Sequence, residues 1–232
     1  MSIIPGLVDD EEDVFYPSSD GRPMAETDLH RDTMVDAIES LKMFYQGKRV
    51  YVSGNILLYY RPGNRRKHVS PDVLVAKDLE PHRRDVYLVW QEGKPPDVVI
   101  EMTSKTTRDE DLEDKYEIYQ ALRVQEYFLF DPRAEYLNPP LQGYRLVDDQ
   151  FVRIETVAGR LPSEQMGLHL QRNGSELRFL DPSTGHNLPT LSEARDQAEA
   201  ARHQEAAARQ RADAELERLR RELESLRRQQ GI

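Results

Sequence analysis

Asp72, Glu101 and Lys115 are the residues whose types and spacing most directly suggest chemistry. Glu101 ends the apolar run DVVIEMT, where a buried strand ordinarily carries valine or leucine. Read as a strand, the run puts Asp97, Val99, Glu101 and Thr103 on one face and Val98, Ile100 and Met102 on the other, because side chains alternate. Glu101 then lies near the C-terminal end of its strand, where open α/β sheets carry their sites. Asp72 follows Pro71 at the start of a second apolar run, PDVLV. Two carboxylates at strand ends are a minimal ligand set for Mg²⁺, which prefers oxygen donors and keeps several of its waters. Lys115 enters through helical geometry. At about 100° per residue, Leu112, Tyr116, Ile118, Tyr119 and Leu122 share one face and Lys115 falls among them, with Glu113, Asp114 and Glu117 opposite. An inward-facing lysine needs an anionic partner, and two stand close: Glu101, or Asp111 four residues earlier.

The elements that must position these residues are legible in outline. LHRDTMVDAIESLKMFYQ carries apolar residues at helical spacing and stops at Gly47. RVYVSGNILLYY and VSPDVLVA are β-rich runs joined by RPGNRRKH, which predicts a hairpin with a basic tip. VYLVW is a third strand candidate, PPDVVIEMT a fourth, and EYFLFDP a fifth after a helix from about Thr107 to Leu122. This order predicts a mixed sheet with helices packed against it. From Leu141 to Leu188, GYRLVDDQFVRIE and LHLQRNGSELRFLDP predict added hairpins of the same domain, the second turning at Asn173-Gly174.

Composition bounds the rest. With 232 residues and 38% hydrophobic content there is one sizeable core, and a mean hydropathy of -0.75 signals an additional polar segment. That segment begins after Pro189: LSEARDQAEAARHQEAAARQ and onward is rich in Ala, Glu and Arg, with neither Gly nor Pro up to Gln230. Ala194, Ala198, Ala201, Ala208, Ala212, Leu216, Leu219, Leu223 and Leu226 recur at steps of three and four, broken only by Glu205. The spacing predicts a coiled-coil helix that pairs with a second copy over residues 191–229, loosened near Ala212 by a stutter. The domain reading is therefore residues 1–189, with 1–22 as a loosely held acidic arm, followed by the tail at 190–232. The tail is neutral, so the whole net charge of -10 lies before it, which argues against a general nucleic-acid coat protein. No apolar stretch approaches the roughly 20 residues of a membrane span. Zero cysteines exclude thiolate metal sites and fit a reducing cytoplasm.

Four motifs stand in order: PDVLV, PDVVIEMTS, DLEDKYEIY and EYFLFDP. With them the stretch from about Pro23 to Leu188 resembles the Uma family of restriction endonucleases, within the PD-(D/E)XK nuclease superfamily. The resemblance implies an α/β, restriction-endonuclease-like mixed sheet flanked by helices. It implies a Mg²⁺-dependent endonuclease, with Mn²⁺ as a substitute, in which Asp72 and Glu101 bind the metal. The superfamily pattern places a lysine where this chain has Thr103, and the family resemblance moves that role to Lys115 on the following helix, with Lys105 as the other lysine nearby. Lys115 would orient the attacking water or offset charge on the phosphate. His30 matches a histidine on the family's first helix, and Arg65, Arg66 and Lys67 would follow the backbone of a nucleic-acid partner, DNA by this resemblance. Two other classes remain open: a nuclease-like binding protein without cleavage, recruited through its tail, and a metal phosphoesterase acting on small substrates.

Overall fold

A computed structural model of the protein describes residues 15–19 and 27–229. Most of the predicted 1–22 arm lies outside the described residues, but Tyr16 and Pro17 are fixed. The Tyr16 ring meets Tyr59 edge-on at 5.0 Å and its hydroxyl accepts the Gly63 N–H, while Pro17 O accepts from the Tyr59 hydroxyl. That part of the arm is tied down rather than loose.

Helix α1 (Asp28–Phe44) starts at Thr27, whose hydroxyl accepts the His30 N–H, and turns Met34, Ala37, Ile38 and Leu41 inward. The central sheet has six strands in the order β1 (Val50–Ser53), β4 (Val73–Lys77), β6 (Val98–Met102), β7 (Glu126–Phe130), β8 (Leu141–Val147) and β9 (Gln150–Arg153). Only β6 and β7 run parallel; their connection is the helical crossover that a parallel pair requires. Alternation along β6 divides the core in two. Val98, Ile100 and Met102 pack with α1 and with a second sheet, β10 (Leu161–Ser163), β11 (Leu168–Asn173), β12 (Glu176–Asp181) and β13 (His186–Asn187). Val99 packs on the other face with Tyr119 and Tyr127. The later hairpins thus complete this domain's core, as the sequence predicts.

Two expectations about strands need correction. The long hairpin is not one ribbon in one sheet. Its base, β1 with β4, belongs to the central sheet, whereas its outer part, β2 (Leu58–Tyr59) with β3 (His68–Val69), pairs in a small sheet that β5 (Tyr87–Leu88) joins in parallel. VYLVW is a strand only over Tyr87–Leu88; Val89–Glu92 forms a helical turn, α2, which Gly93 stops at φ 75°. The helix after β6 is also not uniform: Glu110–Asp114 is a π-turn, and regular α-helix resumes as α3, Lys115–Ala121.

The chain divides into two units, Met1–Leu188 and Pro189–Ile232. The second is one helix, α4 (Leu191–Gln229). Its start is fixed by a reciprocal pair: Glu193 accepts the Thr190 N–H at 2.9 Å and the Thr190 hydroxyl accepts the Glu193 N–H at 3.3 Å. Among the described residues no helix is long and apolar enough to cross a membrane.

Candidate functional site

The antiparallel register of β4 and β6, with Val73 opposite Ile100, is what brings Asp72 to Glu101. Between β1 and β2 the chain passes so close to the Asp72 backbone that a Cβ at Gly54 would lie 1.9 Å from the Asp72 carbonyl oxygen. Asn55 N–H then donates to Pro71 O at 2.8 Å. Asp72, held one residue before β4, faces the end of β6: its Oδ2 accepts the Met102 N–H at 2.7 Å, and its own N–H donates to Glu101 Oε2 at 3.3 Å. The carboxylates read from the sequence as a pair are therefore neighbours across two antiparallel strands.

Glu101 is fully buried, and two side chains meet it besides the Asp72 N–H. Tyr119 donates its hydroxyl to Oε1 at 2.7 Å, and Lys115 Nζ stands 3.0 Å from Oε2. The same ammonium stands 3.0 Å from Asp111 Oδ1, so the two partners left open by the sequence are both engaged. Four residues apart, Asp111 and Lys115 share one face and both point inward across the π-turn, in which Lys115 N–H bonds to Glu110 O, one residue farther back than in an α-helix. Glu113, Asp114 and Glu117 are exposed, as the helical projection predicts.

One ammonium cannot balance this many carboxylates. Burial pushes the Glu101 carboxyl up to about 8; Lys115 opposes that shift, while Asp72 and Asp111 reinforce it. Asp111 is raised too, first by burial, with Lys115 again opposing. For Lys115 burial disfavours the charge, but Glu101, Asp111 and Asp72 outweigh it and keep the ammonium protonated above its ordinary range. Burial holds the Tyr119 phenol well above its usual range, so it remains a donor. His30 Nε2 stands 3.3 Å from Asp72 Oδ1 and brings a further group that can carry charge.

Of these residues His30, Asp72 and Lys115 line a cleft of about 1010 Å³, together with Thr103. Of the predicted nucleic-acid contacts, Arg66 lines it, whereas Arg65 and Lys67 are exposed on the hairpin tip outside that lining. Lys105 and Arg133 also line the cleft, and Arg133 had no role in the sequence reading. The Arg133 loop is shaped by Asp131, fully buried at the end of β7, which accepts the N–H groups of Arg133, Ala134, Tyr136 and Leu137. The remaining acidic letters of the motifs are structural. Asp97 pairs with Lys94 and accepts the Lys77 N–H, and Glu126 binds Arg145 and the Ser163 hydroxyl. Among the described residues no three His, Asp or Glu side chains form a ready-made metal cluster. The donor set here is two carboxylates, which suits an ion that keeps most of its water. The surplus of buried carboxylate over ammonium also fits a divalent cation.

The family model Uma2, described as "Putative restriction endonuclease", matches residues 7–176. Among solved structures, one described as "a putative nuclease belonging to DUF820", from Anabaena variabilis ATCC 29413, aligns at a TM-score of 0.47 and 15% identity, over 64% of this chain and 80% of that one. No curated protein matches.

Proposed function

We propose that this chain, which belongs to the Uma2 restriction endonuclease family, is a divalent-metal-dependent endonuclease that works as a dimer through α4. The observation that carries the reading is the excess of carboxylate at Asp72 and at the buried Glu101 and Asp111 around the one ammonium of Lys115, beside an open cleft. Asp72 and Glu101 would hold Mg²⁺ or Mn²⁺ with water completing the shell. Such an ion, when bound, supplies Lewis acidity toward a phosphodiester and lowers the pKa of a bound water.

This chain's own groups do the rest. Tyr119 fixes one oxygen of Glu101 and leaves the other toward Asp72 and Lys115. The Met102 N–H fixes one oxygen of Asp72, and His30 faces the other. Lys115, anchored by Asp111, would turn its charge to the phosphate as negative charge grows there. Arg66 and Arg133 would contact the nucleic-acid backbone, with Arg65 and Lys67 farther out on the hairpin. The half-exposed leucines Leu216, Leu219, Leu223 and Leu226 support helix pairing, because they form one stripe on α4.

The deciding experiment incubates the full chain with plasmid DNA and with RNA, with Mg²⁺, with Mn²⁺, and with chelator. Cleavage that needs the metal and disappears in Asp72→Asn and Glu101→Gln, both still folded, is the expected result. A wild-type chain that binds nucleic acid without cutting it would make this a binding protein. A mutant cutting at the wild-type rate would remove that residue from the site.

A further inference from the structure

Thr103 stands two residues after Glu101, where the superfamily pattern places a lysine, and it is 2% exposed. Its backbone is pinned, because its N–H donates to Phe130 O at 2.7 Å. Its side chain is not. Among the described residues Thr103 Oγ1 has no hydrogen-bond partner, although Ser104, Thr106 and Thr107 beside it bond to one another. Thr103 nevertheless lines the cleft next to Asp72 and Lys115. A buried hydroxyl without a partner is costly, so folded proteins seldom keep one that nothing uses. Strand alternation carried one residue past β6 gives Thr103 the Glu101 face.

We infer that the Thr103 hydroxyl is a substrate-binding group, donating its hydrogen bond to a non-bridging oxygen of the phosphodiester in the cleft. The inference rests on the nuclease reading above and adds a residue to it. At this position the chain carries a neutral donor. Lys115, reaching the same cleft from α3, carries the charge, and Thr103 fixes the phosphate's orientation.

The test compares Thr103→Val, which keeps shape and removes the hydroxyl, with Thr103→Ser, which keeps the hydroxyl. The first readout is the melting temperature of the free protein. Thr103→Val should melt at or above wild type, since no internal hydrogen bond is lost; a clear drop would mean the hydroxyl serves the fold, and would overturn the proposal. The second is the affinity for a labelled DNA oligonucleotide in Ca²⁺, a hard ion with the same preference for oxygen ligands. Thr103→Val should bind about ten- to a hundredfold more weakly, the effect of losing a hydrogen bond to a charged group, and Thr103→Ser should recover most of it. Equal affinity of Thr103→Val and wild type would overturn the inference while leaving the nuclease reading, tested by Asp72→Asn and Glu101→Gln cleavage, untouched. Thr103→Val binding weakly in a chain that never cuts would uphold the contact and sink the nuclease reading alone.

Discussion

At the residue scale, the central feature is a carboxyl that is easier to keep protonated when the chain is folded. A group whose folded pKa is raised stabilises the fold fully below its unfolded value and loses that contribution as pH rises through the folded value. For Glu101 the window runs from its ordinary 4.5 to about 8. The melting temperature of wild type, minus that of Glu101→Gln, should therefore fall across this window without metal. Saturating Mg²⁺ should flatten the difference, because the cation takes the proton's place; thermal melts at several pH values check both. A second prediction concerns Lys115→Met, which should keep divalent-ion binding and lose turnover. Removing one partner of a buried ion pair costs about 3–5 kcal/mol. The loss should be smallest at low pH, where protonated carboxyls need no cation, and should grow as pH rises; denaturant titration measures it. The sequence made Glu101 and Lys115 visible because each breaks an apolar pattern. It hid Tyr119, which fits its stripe as an ordinary aromatic and shows its role only when the hydroxyl is seen on Glu101.

At the scale of elements, what was legible depended on length. α1 announces itself by periodicity over 17 residues, and β6 and β7 by runs of five that are apolar but for one glutamate each. β2, β3 and β5 have two residues each, too few for any period, so the small sheet could not be read and the long hairpin looked continuous. The π-turn is invisible for a related reason: it changes the backbone hydrogen bonding while leaving residue types ordinary. Gly54 carries the sharpest prediction here. Its missing Cβ makes room for the Asp72 carbonyl, which is backbone and cannot swing aside. Gly54→Ala should cost about 3 kcal/mol, an overpacking penalty at the upper end of the usual range, and should shift Asp72 from the Met102 N–H. Urea unfolding together with metal-ion titration would detect both losses.

At the scale of the molecule, α4 has a polar, neutral sequence with its large apolar residues half exposed. Helix propensity and Glu–Arg pairs such as Glu217 with Arg221 support it as a helix, but do not cover Leu216, Leu219, Leu223 and Leu226. We expect the full chain to scatter light as a dimer and a chain ended at Pro189 as a monomer. An unchanged state of association on truncation would leave α4 a lone helix. The hairpin's passage from one sheet to the other has a consequence for how the first unit opens. Asn55 N–H, in the bend between β1 and β2, and Met102 N–H, at the end of β6, are protected by bonds to Pro71 and Asp72, on the same short stretch of chain. If that stretch moves, the bend leading to β2 and the end of β6 lose their bonds together. In native-state hydrogen exchange the two amides should show equal protection and equal denaturant dependence, both exchanging only through global unfolding. Fluctuations that expose either one would then part Asp72 from Glu101 in the same event, so under the proposed function no partly open form of this domain would retain the capacity to cut.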